Sequence, residues 1–330
     1  MRILVTGGAG FVGHHIVEHL LKNTNSEIVI LDSLNYAASL NRLFDIEIWE
    51  QEKRRVKVVW HDLKASVPES LHKMIGNLDY IWHLAAESHV DRSLEDSIPF
   101  VMSNVLGTAN LLEYVKRKQP GLKKYIQFST DEVYGPATKD VFYQEWDRLK
   151  PSNPYAATKG GADLLALAFS RSFKLPVMIA RSMNILGERQ HPEKFVPKTV
   201  GSVLNSETVV IHGVPGNISS RCWIHARNVA DSLTFLSDKG EMGEIYNIVG
   251  EERSVLDLAN RISGIIRGRN LEEGEIEYVD FHRTRPGHDP RYALDGTKLR
   301  TMGWKPELAL DQSFEKMIRW MIKHPEWLYL

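Results

Sequence analysis

The 330-residue chain contains one cysteine, Cys222. A lone thiol excludes an internal disulfide and a multi-cysteine zinc site, and no metal is expected. Net charge is nearly absent, since 41 Lys+Arg face 42 Asp+Glu for a formal value of -1. A general nucleic-acid binder needs a basic surface, so that class is excluded. No apolar run approaches the ~20 residues of a membrane span. Met1 leads straight into Arg2-Ile3-Leu4-Val5-Thr6, which leaves no room for a cleavable signal peptide. There is no internal repeat, low-complexity tract or long Ser/Gly linker. These absences predict a reduced, cytoplasmic, globular protein of one large or two smaller domains.

What is present is a rhythm. Ile3–Val5, Ile28–Leu31, Val56–Trp60, Tyr80–Trp82 and Tyr125–Phe128 are short, apolar and β-rich. They read as strands buried on both faces. Helical spacing lies between them, at about Phe11–Lys22, Val105–Lys118 and Ala162–Phe173. Alternation of this kind predicts an α/β fold of the Rossmann type, a doubly wound parallel sheet. Beyond about residue 180 the rhythm changes. Asn184–Pro197 reads as loop, Val209–Ile211, Ile245–Ile248 and Ile276–Val279 as short strands, and Leu256–Ile266 and Phe314–Ile322 as helices. The expected division is 1–180 for a cofactor-binding domain and 181–330 for a smaller α/β lobe, partly interleaved with the first.

Thr6-Gly7-Gly8-Ala9-Gly10-Phe11-Val12-Gly13 joins the first strand to the first helix. Glycines at 7, 10 and 13 suit a tight turn, close approach to a pyrophosphate and close helix–strand packing. Backbone amides and the helix N-terminus then face the anion. The second strand ends in Asp32, where an acid binds an adenosine ribose and repels a 2′-phosphate, so NAD is favoured over NADP. Leu84-Ala85-Ala86-Glu87-Ser88 follows the fourth strand, at the strand-end position where such sheets bind ligands. Asp62 follows the third strand and reads equally as a cofactor contact or a turn cap.

Tyr155-Ala156-Ala157-Thr158-Lys159 sets a phenol and an ammonium four residues apart, on one face of a helix. The ammonium favours phenolate and lowers a pKa that starts near ~10, and a phenolate can deprotonate a substrate hydroxyl. The fifth strand runs into Phe128-Ser129-Thr130-Asp131-Glu132-Val133-Tyr134-Gly135. Adjacent carboxylates at a strand end invite a division of labour between one protonated and one ionised group.

These motifs resemble the extended short-chain dehydrogenase/reductases. Ser129–Gly135 resembles nucleotide-sugar 4,6-dehydratases of the dTDP-glucose type. Leu84–Ser93, Asn153-Pro154-Tyr155, His191-Pro192-Glu193-Lys194, Arg285–Asp289 and Gly303–Pro306 extend the likeness over nearly the whole chain. The resemblance implies a three-step cycle. Tyr155, with Lys159 and Thr130, deprotonates the sugar 4-hydroxyl as hydride passes to NAD. Glu132 then removes the C5 proton and Asp131 protonates the leaving 6-hydroxyl. Return of the hydride to C6 gives a 4-keto-6-deoxy sugar.

The resemblance also implies cofactor contacts from Gly7, Gly10, Phe11, Val12, Gly13, Asp32, Asn35, Asp62, Leu63, Leu84, Ala85, Ala86, Ser88 and Ser103, besides Tyr155 and Lys159. It implies substrate contacts from Ser88, Asn184, Lys194, Phe195, Arg221, Asn247, Arg285 and His288. Arg221 and Arg285 are chemically suited to a diphosphate, because guanidinium binds phosphate with a two-pronged fork. A homodimer through helices at about Val105–Lys118 and Tyr155–Phe173 is implied as well.

The chain departs from the dTDP-glucose pattern at Ile185-Leu186-Gly187-Glu188-Arg189, at Arg221-Cys222-Trp223 and at His212. These positions bear on the base and the hexose. dTDP-glucose is the first expectation and UDP-glucose the next. A 4-epimerase shares the Tyr/Lys pair without needing the Asp131-Glu132 pair, and a decarboxylase usually carries Ser in place of Asp131. A non-catalytic NAD-binding protein would be expected to have lost Tyr155, Lys159 or the carboxylates.

Overall fold

The computed structural model describes residues 1–280 and 291–329. Its centre is a seven-stranded parallel sheet. In chain order the strands are β1 (Arg2–Thr6), β2 (Glu27–Asp32), β3 (Val56–Trp60), β4 (Tyr80–His83), β5 (Lys124–Thr130), β6 (Val177–Ser182) and a last strand, Ile245–Ile248. In space that last strand lies at one edge, followed by β6, β5, β4, β1, β2 and β3. Every pairing is parallel, with Val5 opposite Ile30 on one side and Trp82 on the other. The order reverses between β1 and β4, so a crevice opens at their C-terminal ends.

Apolar layers cover both faces. One groups Ile3, Val5, Ile28 and Ile30 with Ile16, Val17 and Leu20 of helix α1 (Phe11–Asn23). The other groups Leu4, Val29, Leu31 and Ile81 with Leu111, Leu112 and Val115. β3 departs from the predicted two-sided burial. Val58 and Trp60 are exposed, Trp60 at 68%, because β3 is an edge strand with only one neighbour.

The second half of the chain builds two three-stranded sheets. One pairs Glu251–Ser254, Ser220–His225 and Asn184–Leu186, and the other Ile276–Val279, Val209–Val214 and Asn217–Ile218. Their own apolar cluster includes Val200, Ile211, Leu258 and Phe314. Asn184–Pro197 is not all loop: Asn184–Leu186 is a strand and a helix starts at Phe195. The helix expected from Val105 starts regularly only at Gly107. Before it, Val101–Leu106 forms a wide π-helical turn. No helix among the described residues is long and apolar enough to cross a membrane.

Candidate active site

The crevice is a cleft of about 640 Å³ between the large sheet and the second half of the chain. Its floor is the glycine turn. Gly7 has φ +72°, a conformation that favours glycine, and its carbonyl accepts from the Gly10 amide at 3.0 Å. A Cβ on Gly13 would run into the Gly7 carbonyl and the Gly8 backbone, so helix and turn meet there at closest approach. Helix α1 starts with Gly10 as its N-cap and no side chain caps it. Its first amides are therefore available to an anion.

Asp32 also lines the cleft. Its carboxylate is oriented by the Ala9 and Leu34 amides, both at 2.9 Å. The 84–88 segment is fixed from beneath. The Thr6 hydroxyl accepts from the Leu84 and Ala85 amides and lies 2.7 Å from His83 Nδ1. Asn104 accepts from the Glu87 amide and donates to Thr158. Burial holds His83 near a pKa of about 3, so it is neutral and serves as a relay of hydrogen bonds. The π-helical turn brings Ser103 to the cleft.

A turned cradle, an uncapped helix N-terminus and an acid at the end of β2 fit a dinucleotide. Every cofactor residue expected from the sequence lines this one cleft, from Gly7 through Asn35, Asp62, Leu63, Leu84, Ala85, Ala86 and Ser88 to Ser103, Tyr155 and Lys159. Asp62 also shapes its own turn, accepting from the Lys64 amide at 2.9 Å.

The reactive side chains converge from two elements. Helix Pro154–Phe173 is capped by Asn153, whose side chain accepts from the Ala156 amide. It presents Tyr155 and Lys159 to the cleft. β5 runs into the turn Asp131–Tyr134, which presents Asp131 and Glu132. Thr130 donates to Asp131 Oδ1 at 3.0 Å, while Asp131 Oδ2 is buried with no hydrogen-bond partner among the described residues. Burial first, then the neighbouring Glu132 charge, pushes the Asp131 pKa up to about 7. Asn153 Nδ2 donates to Glu132 Oε2 at 3.0 Å.

Lys159 Nζ donates to the Phe128 carbonyl at 2.7 Å, and burial lowers its pKa to about 8. Tyr155 corrects an expectation. Its pKa is raised, not lowered, by burial first and by Glu132 next, with the Thr130 hydroxyl opposing.

Among the substrate residues expected, Ser88, Asn184, Lys194, Phe195 and Arg221 line the cleft. Asn247 does not. It is fully buried, accepts from the Tyr134 hydroxyl at 3.2 Å and donates to the Tyr143 and Asp295 carbonyls. The family resemblance implied a substrate contact here, but its side chain is tied into the core. Arg285 and His288 lie outside the described residues.

Sequence reasoning missed a cluster at the mouth. Glu193 lies within 3.5–3.7 Å of Lys194, His89, Arg92 and His191, and Arg92 lies 3.6 Å over the Tyr36 ring. The His191–Lys194 motif held the signal, but only the fold shows what Glu193 meets. Cys222 is buried with Val133, Tyr134 and Met183, and burial pushes its thiol up to about 12, which leaves it inert.

The family model for GDP-mannose 4,6-dehydratase matches residues 4–317. The chain belongs to that family. It is an extended short-chain dehydrogenase/reductase, in a family of NAD-dependent hydro-lyases. Over 327 residues it is 38% identical to the low-salt glycan biosynthesis protein Agl12 of Haloferax volcanii, covering 99% of this chain and 100% of that one. It is 34% identical to the dTDP-glucose 4,6-dehydratase of Escherichia coli, covering 99% and 94%. The crystal structure of DesIV, the dTDP-glucose 4,6-dehydratase of Streptomyces venezuelae with NAD and TYD bound, superposes with a TM-score of 0.89 at 34% identity, covering 100% and 99%.

Proposed function

We propose that this protein is a nucleotide-diphosphate-hexose 4,6-dehydratase that converts dTDP-glucose, or failing that UDP-glucose, to the 4-keto-6-deoxy sugar. The observation that carries the reading is Asp131. A carboxyl group held protonated up to about pH 7, beside a second carboxylate and a Tyr/Lys pair, is what expulsion of a hydroxyl requires. A 4-epimerase expels nothing and needs no such acid.

In this reading Tyr155 accepts the proton of the sugar 4-hydroxyl, with Thr130 orienting the phenol. Lys159, anchored on the Phe128 carbonyl, holds positive charge beside the site. Glu132, aimed by Asn153, takes the C5 proton that the 4-ketone has made acidic. Asp131 gives its proton to the departing 6-hydroxyl. NAD, when bound on the glycine cradle, supplies the acceptor and later the donor of hydride. Residues 1–180 hold the cofactor and 181–330, partly interleaved with them, the nucleotide sugar, with Arg221 facing the diphosphate and Lys194, Phe195 and Asn184 beside the nucleotide.

A homodimer belongs to the same proposal. Val101, Met102, Leu106 and Leu164 are exposed on packed helices of the large domain. Four exposed large apolar side chains on two contacting elements favour a second copy.

The deciding assay incubates the protein with dTDP-, UDP-, GDP- and CDP-hexoses and follows products by mass. Loss of one water from a hexose supports the reading. Epimerisation without mass change, or loss of carbon dioxide, overturns it.

A further inference from the structure

The active site is assembled from two pieces that share no element. Tyr155 and Lys159 ride on helix Pro154–Phe173, while Asp131 and Glu132 ride on the turn after β5. A buried chain of polar groups behind the cleft joins the two.

Asp163 lies four residues beyond Lys159, on the same face of that helix, and is fully buried. Its Oδ2 accepts from Arg181 Nε at 3.0 Å. Arg181 comes from β6 and is itself 2% exposed. Its Nη1 donates to the Tyr134 hydroxyl at 2.6 Å, and its guanidinium lies 4.7 Å over the Tyr134 ring. Tyr134 is the last residue of the turn that carries Asp131 and Glu132. It stacks on Tyr143 at 5.3 Å and donates to Asn247 at 3.2 Å.

Asp163, Arg181 and Tyr134 do not line the cleft, so they do not touch the reacting atoms. A buried ion pair is a poor device for stability, because desolvation costs several kcal/mol per ion, and its best-attested use is to specify registry. The planar fork of Arg181 serves that use, since it addresses helix and turn at once in fixed directions.

We propose that Asp163, Arg181 and Tyr134 are positioning residues, a buried strut that holds the Asp131–Glu132 turn in register with Tyr155 and Lys159. Elimination groups then meet the same sugar that Tyr155 has deprotonated. The proposal rests on the dehydratase reading for its activity consequences, and on the protein alone for its structural ones.

Tyr134→Phe removes one hydroxyl, and with it the Arg181 Nη1 hydrogen bond, and keeps the ring, its stack on Tyr143 and the guanidinium over its face. In single turnovers, cofactor reduction by the nucleotide-hexose stays within about twofold of wild type. Water loss slows about tenfold, equivalent to about 1.4 kcal/mol, and reduced cofactor builds up. Arg181→Lys keeps the charge but loses the fork. It gives the same split, and the double variant is no worse than Arg181→Lys alone because both break one link. Should Tyr134→Phe not fold, Arg181→Lys carries the same test.

A second readout needs neither substrate nor cofactor. Infrared spectra of the protein alone, with Asp131→Asn as the difference reference, report the protonated carboxyl of Asp131. In Tyr134→Phe that band disappears at a lower pH than in wild type, because the freed turn lets water reach it. Equal slowing of both half-reactions, or none, overturns the proposal, as does an unmoved band. A wild type that dehydrates no nucleotide-hexose defeats the dehydratase reading, while the infrared comparison still decides the strut.

Discussion

Asp131 and Glu132 are neighbours in sequence, yet the fold treats them differently. Glu132 is oriented by the Asn153 amide, whereas Asp131 is buried with one oxygen that has no partner among the described residues. Replacing Asp131 by Asn keeps the shape and removes the transferable proton. In Asp131→Asn water loss falls about 10²-fold or more while oxidation at C4 proceeds, so reduced cofactor accumulates on the enzyme. Full turnover in this variant would remove Asp131 from the acid role. The wild-type elimination step also has a direction in pH. The acid form prevails below about pH 7 and is lost above it, so elimination in single turnovers declines as pH rises through that value. Stability follows the same group. Its folded pKa exceeds the unfolded ~3.9, so the folded state binds more protons between about pH 4 and 7, and stability falls over that range as pH rises. Asp131→Asn therefore melts higher than wild type at pH 8, with the gap closing toward pH 4. A gap that does not change with pH would contradict the burial argument.

Local elements were legible in the sequence where the chemistry itself is local. The glycine turn needs its residues at fixed steps, so the tight turn and close helix approach at Gly7, Gly10 and Gly13 were legible from spacing alone. Gly13→Ala tests that reading. Its methyl would press on the Gly7 carbonyl, a backbone atom that cannot swing away. Overpacking of this kind costs about 1–3 kcal/mol. The expected result is a lower melting temperature together with weakened NAD binding by calorimetry. Unchanged NAD affinity would show that the turn is not the cofactor's cradle. The strands followed from composition, but not which of them stood at an edge, so Trp60 was expected inside and lies outside. The π-helical turn at Val101–Leu106 escaped because its apolar spacing matches an ordinary helix. Asn247 was placed at the substrate and Arg181 was not singled out for a different reason: both bond Tyr134, which is 113 and 47 residues away, and no local pattern marks that. Long-range polar pairing is what the sequence pattern conveys least.

At the scale of the whole molecule, near-neutral charge and a diphosphate ligand are compatible because the required cations are few and placed. Arg221 and Lys194 line the cleft, and acidic residues, several of them in the same cleft, balance the chain's cations. The same scale decides assembly. Leu164 is 59% exposed on the helix that carries Tyr155 and Lys159, and Leu106 is exposed on the adjoining segment. Burying these side chains against a second copy would also stiffen the helix on its outer face, while the Asp163–Arg181 pair holds its inner face. Leu106→Arg with Leu164→Arg places charge on that surface without touching the cleft. Surface substitutions of this kind change monomer stability by about 0.5 kcal/mol or less. Sedimentation velocity is expected to show a dimer for wild type and a folded monomer for the double variant. A wild type that sediments as a monomer, or a double variant that stays dimeric, would move the interface away from these helices.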